Sequence, residues 1–287
     1  MSCIAAAVPN LTTLELSRGE ERLSQEELRA GAQPTPLPSV GGGAGGVFAL
    51  QQLQTLTLSF LHVTAADAAD AHLPSLRELR LENCGAHAAA AAAALAAAAP
   101  ALESLLLFYV PAAELDGREG PGVSALSALS HAALSTLRVI TDTAPFPRNA
   151  RGNAAKKAAE VKASKALARE LKALAARKAL PALRTLSFGG CYMQPLPPCF
   201  AALHPWPLLQ TLAVPYAPPE SIPALLAGLR APVLTTLSLP GISFGVAAAK
   251  SRFREPPTRG FVAAYEALRT KGHAPKLPLR TADAGDE

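Results

Sequence analysis

One apolar spacing governs this chain: leucine, or an equivalent apolar residue, at the first, fourth and sixth places of a unit that returns from one end to the other. It is plainest in Leu76-Arg-Glu-Leu79-Arg-Leu81-Glu-Asn-Cys84. The same spacing recurs as Leu11/Leu14/Leu16, Leu53/Leu56/Leu58, Leu102/Leu105/Leu107, Leu134/Leu137/Val139, Leu183/Leu186/Phe188, Leu209/Leu212/Val214 and Leu234/Leu237/Leu239, which makes eight copies. Copies starting at 53, 76 and 102, and again at 183, 209 and 234, lie 23 to 26 residues apart, whereas intervals of 42, 32 and 49 residues carry insertions. A period of this size implies a stack of one supersecondary unit, each copy burying its apolar face on the next.

A proline stands two residues before the first leucine in six copies, at Pro9, Pro74, Pro100, Pro181, Pro207 and Pro232. Proline lacks the N–H that a helix needs and pushes the residue before it out of the α region, so each is expected to end a helix just ahead of a strand. The unit then reads as strand, turn and return helix. On these residues the chain resembles the leucine-rich repeat family from about Pro9 to Gly245. That resemblance implies an α/β fold, a solenoid with a curved parallel β-sheet on its concave face and helices on its convex face. Cys84 and Cys191 fall at the ninth place of their copies, where the family sets an Asn or Cys that bonds to loop backbone. In this the chain is similar to the cysteine-containing subclass found in F-box leucine-rich-repeat proteins, which implies substrate recognition in a ubiquitin-ligase-type complex.

The expected organisation is one elongated domain over 1–245, with a Pro/Gly loop at 31–46 and a basic helical insertion at 148–180. A helical cap is expected over 246–272, where Phe261, Val262, Tyr265 and Leu268 share a face, and a disordered tail over 273–287. Aromatic residues make up only 5% of the chain, so its core must come from Leu, Val and Ala. Ala88 to Ala99 and Ser124 to Ala133 read as return helices. The first copy begins at Leu11, which leaves little room for a polar cap, so the region before Leu53 is expected to be loosely ordered or to pack on a partner.

No apolar run is long enough to span a bilayer, and the start of the chain has no basic region before its apolar residues. Cys3, Cys84, Cys191 and Cys199 show no CxxC pairing, which points to a reducing, cytoplasmic or nuclear setting. The six histidines are scattered without a ligand set, and there is no GxSxG turn, so neither a metal site, a cofactor nor an enzyme is expected. Gly41, Gly43 and Gly46 match GxGxxG, yet a Pro-rich stretch precedes them and no long helix follows, which makes them a linker.

The informative surface is the outward face of the sheet, since side chains alternate along each strand. Threonine holds the third place in six copies. The departures are Glu78, Arg80 and Glu82 in the third copy, Leu106 and Phe108 in the fourth, and Arg138 and Ile140 in the fifth. Phe60, Tyr109 and Tyr216 add an aromatic rim at the eighth place. Aromatic residues beside arginine make up binding hot spots, so a protein or peptide partner is expected there. A second surface competes. From Arg148 to Lys178 ten basic residues face two acidic ones, among them Lys156, Lys157, Lys162, Lys165, Arg169 and Lys172. With Leu167, Leu171 and Leu174 on one stripe, this is a basic amphipathic helix suited to nucleic acid or an anionic membrane.

Overall fold

The computed structural model describes residues 7–17, 47–61, 63–84, 88–111, 126, 128–142, 169–170, 173–174, 178–190, 206–214, 231–239 and 242–244. Each copy of the repeat delivers one strand that begins at its third place. These are β1 (Thr13–Ser17), β2 (Thr55–Ser59), β3 (Glu78–Glu82), β4 (Ser104–Pro111), β5 (Thr136–Asp142), β6 (Thr185–Gly190), β7 (Thr211–Ala213) and β8 (Thr236–Leu239). All eight pair in parallel and in chain order, in one open sheet. Register aligns the copies place by place: Leu14, Leu56, Leu79, Leu105, Leu137, Leu186, Leu212 and Leu237 form one continuous row.

A single hydrogen-bond device joins every copy to the next. The carbonyl at the second place accepts two backbone N–H groups from the following copy, so that Thr12 O takes Gln54 and Thr55 while Gln54 O takes Arg77 and Glu78. The same pattern continues through Arg77, Glu103, Ser135, Arg184 and Gln210 as acceptors. The longer intervals leave it undisturbed, since the cost of closing a connection grows only slowly with its length.

Leucines at the first, fourth and sixth places point away from the outward face and are buried from Leu53 to Leu237, merging into one apolar core. Leu11, Leu14 and Leu16 are only half-buried, since β1 lies at the edge of the sheet. The other edge carries β9 (Ile242–Phe244), which turns back and pairs antiparallel with β8.

The prolines do something different from the helix-ending role expected of them. Leu11 N–H bonds to Val8 O, Leu76 to Leu73, Leu102 to Ala99, Leu183 to Leu180, Leu209 to Trp206 and Leu234 to Ala231, each across a turn whose second residue is the proline. Its fixed φ suits that position and its missing N–H costs nothing there. Among the described residues a helix, α1 (Ala88–Ala97), precedes the turn at Pro100, and helical residues at 169–170 and 173–174 precede the turn at Pro181. Small alanine side chains let α1 lie close behind the sheet, with six of its residues buried. The second copy returns instead through turns over 65–70. Those turns are started by Thr64 and Asp67 in a reciprocal cap: Thr64 N–H and Oγ1 both donate to Asp67 Oδ2, and Asp67 N–H donates to Thr64 Oγ1. The expected helix over Ser124 to Ala133 is likewise absent at the described residues 126 and 128–133. Leu126 and Leu129 are both buried, and Leu129 N–H bonds to Leu126 O three residues back, the bond of a tight turn.

The expected loop over 31–46, the cap over 246–272 and the tail over 273–287 lie outside the described residues, as does Cys191. No helix among the described residues is long and apolar enough to cross a membrane.

Candidate functional site

Alternation along each strand turns the third, fifth and seventh places to the face opposite the core. Across β3, β4 and β5 this gives three rows: Glu78, Ser104 and Thr136; Arg80, Leu106 and Arg138; Glu82, Phe108 and Ile140. Arg80 and Arg138 sit either side of Leu106, and both reach diagonally to the next row. The Arg80 guanidinium carbon lies 4.8 Å from the Phe108 ring centroid and that of Arg138 lies 4.9 Å from it. One ring therefore receives a cation from each neighbouring strand.

The two arginines differ in what else they meet. Arg80 Nη2 donates to Glu82 Oε2 at 2.9 Å, a half-buried pair whose carboxylate side is 22% exposed. Its buried Nε has no hydrogen-bond acceptor. Arg138 is exposed, and the Phe108 ring is its one polar or π contact among the described residues. Glu78 is exposed too. At the margin of the patch Arg77 Nη1 and Glu103 Oε1 pair at 2.8 Å, an exposed bridge that neutralises both charges and adds little stability.

Ile140 departs from the expectation. Its place in the strand is outward and it lies outside the continuous core, yet only 6% of it is exposed. Its register partner on β4 is Phe108, and a side chain set across the sheet from a large ring loses most of its outward surface. Leu106 and Phe108 are half-buried, so the accessible apolar surface belongs to them. Tyr109 is the residue at which the β4–β5 register slips, between Phe108 and Val110. Phe60 is 48% exposed and has φ of 58°, and Asn83, at the same place of the next copy, has φ of 52°. That left-handed residue turns the chain off the sheet while its N–H still reaches across it: Phe60 N–H bonds to Glu82 O and Asn83 N–H to Phe108 O. Asparagine tolerates this conformation, whereas for phenylalanine it costs about 1 kcal/mol.

Behind β3, Cys84 shows why a small polar group belongs at the ninth place. Its Sγ donates to Leu58 O at 3.1 Å and approaches Glu82 O at 3.5 Å, so it bonds a carbonyl near the end of β2 inside the core. Burial pushes this thiol up to about 11, only partly offset by backbone hydrogen bonds at Leu61 and Glu82. His131 plays a similar part between copies: Nε2–H donates to Ala99 O at 2.9 Å and its backbone N–H donates to Ala179 O.

Of the basic segment, Arg169, Glu170, Ala173 and Leu174 are helical. Arg169 is exposed, whereas Glu170 and Leu174 are buried. Ala179 N–H bonds back to Leu174 O, with Lys178 at φ 51°, which is the bond and left-handed residue of a Schellman stop. Lys156, Lys157, Lys162, Lys165 and Lys172 lie outside the described residues, as does Tyr216.

No group of three or more metal-binding side chains occurs among the described residues. Compared with known proteins, the sequence matches no protein-family model and no curated protein. What stands is an α/β protein with an open parallel sheet and a cation–aromatic cluster on the face opposite its core.

Proposed function

We propose that the chain is a leucine-rich-repeat solenoid acting as a non-catalytic protein–protein interaction module, with a protein or peptide partner held on the concave face around β3 to β5. The observation that carries this reading is the pair of guanidiniums on the Phe108 ring. Arginine and aromatic side chains that are partly desolvated and held in place are the groups from which binding energy is drawn. The repeated carbonyl device at the second place supports the solenoid half of the reading, because the stacked copies share one junction geometry. The thiol of Cys84 on a buried carbonyl supports the cysteine-containing subclass, and with it a substrate-recognition role of the ubiquitin-ligase type inside the cell.

An affinity pull-down with the double variant Arg80→Glu/Phe108→Ala tests the site. Proteins retained by the native chain are expected to be lost. Retention of every partner would remove this face from consideration.

A further inference from the structure

We infer that this face recognises an acidic peptide segment, seating an Asp or Glu carboxylate on Arg138 and an adjacent aliphatic side chain on Leu106; the inference rests on the interaction reading above and names the chemistry of its partner. Of the two cations on the Phe108 ring, Arg80 is already neutralised by Glu82 at 2.9 Å. Arg138 is exposed, with neither a carboxylate nor a hydrogen-bond acceptor among the described residues.

Contact over a ring engages the face of a guanidinium and leaves its in-plane N–H donors unused, and that planar fork matches a carboxylate in bidentate fashion. The ring also restrains the arginine before any partner arrives, which lowers the entropy lost on binding. Leu106 lies beside Arg138 in the same row and is half-buried, so an aliphatic neighbour of the carboxylate would cover it. On the far side Glu78 and Glu82 border Arg80 and repel further negative charge. A single carboxylate therefore fits the β5 end, away from Glu78 and Glu82. The next residue in this row, Ser187 on β6, is small, so no long side chain of that row crowds Arg138 from there.

Selection of a phage-displayed random peptide library on the native chain tests this, with the recovered peptides then measured against three variants. The expected peptides carry Asp or Glu beside Leu, Ile or Val. They are expected to weaken by about tenfold or more on Arg138→Gln, as for loss of a charge-assisted hydrogen bond. They should be lost on Phe108→Ala and unchanged on Arg184→Gln, which removes an equal charge elsewhere. Arg138 makes no hydrogen bond among the described residues, so Arg138→Gln should melt with the native chain, and a circular dichroism melt checks that. Peptides sensitive to Phe108→Ala but lacking an acid, or indifferent to Arg138→Gln, would overturn the inference and leave the interaction face standing. Peptides indifferent to both variants, or no enrichment at all, would overturn both.

Discussion

Arg184 donates its backbone N–H to Ser135 O at 2.8 Å, although the chain's longest insertion lies between them. The fifth and sixth copies are thus as firmly joined as copies with no insertion. The insertion is in turn fastened to the core, because Leu174 is 1% exposed and belongs to the continuous apolar cluster. Truncating Leu174 to Ala is expected to destabilise the protein by about 2–4 kcal/mol, the range for a buried leucine. Urea denaturation checks this, with exposed Arg184→Ala, expected within about 0.5 kcal/mol of native, as the comparison.

His131 ties the turn after α1 to the end of that same insertion. Replacing it with Ala removes the Nε2–H donor from Ala99 O inside the core and leaves that carbonyl with the Leu102 N–H alone. A loss of about 0.5–1.5 kcal/mol follows, as for one hydrogen bond. If thermal denaturation showed His131→Ala as stable as the native chain, the bond to Ala99 would have no energetic weight.

Cys84 gives the protein an alkaline limit. Its folded-state value, about 11, is raised above the ordinary 9.0, so the folded state holds the proton more tightly than the unfolded chain does. The stabilisation is fully present below pH 9 and is lost as pH rises through 11, and two units correspond to about 3 kcal/mol at most. Stability measured from pH 8 to 11 should fall more steeply in the native chain than in Cys84→Ser, whose hydroxyl stays neutral. Parallel curves would contradict this. Alkylation of Cys84 at pH 8 should also be slow until the chain is unfolded, because the thiolate is the reactive form.

Edge and interior strands should differ in protection. Leu14 and Leu16 are half-buried on an edge strand, whereas Leu79 and Leu81 are buried between two paired neighbours. Amide exchange at Leu14 and Leu16 is expected to be faster by about tenfold or more, since local opening there exposes little apolar surface. Equal protection in a protein shown to be monomeric would run against it.

Much of the architecture was legible in the residues. Leu76, Leu79 and Leu81, repeated seven times more, specify which side chains turn inward, and a parity of two settles it without knowledge of any neighbour. The prolines mark where each strand is about to begin. The pattern could not say what the return segments do, because a turn and a helix both hide alanine and leucine, and the three-residue spacing of Leu126 and Leu129 suits either. Pro240-Gly241 likewise signalled a reversal ahead of β9.

Residues of the candidate site were legible one by one as outward-facing, but their association was not. Phe108 meets Arg80 and Arg138 because copies 26 and 32 residues apart fall into one register, and because long side chains lean diagonally between rows. That same register sets Phe108 against Ile140, whose burial no alternation rule foretells. A periodic sequence dictates which way each side chain points, since that depends on the residue's own strand alone. Which charges are neutralised and which stay free, as Arg138 does, depends on contacts between strands, and those exist only once the chain has folded.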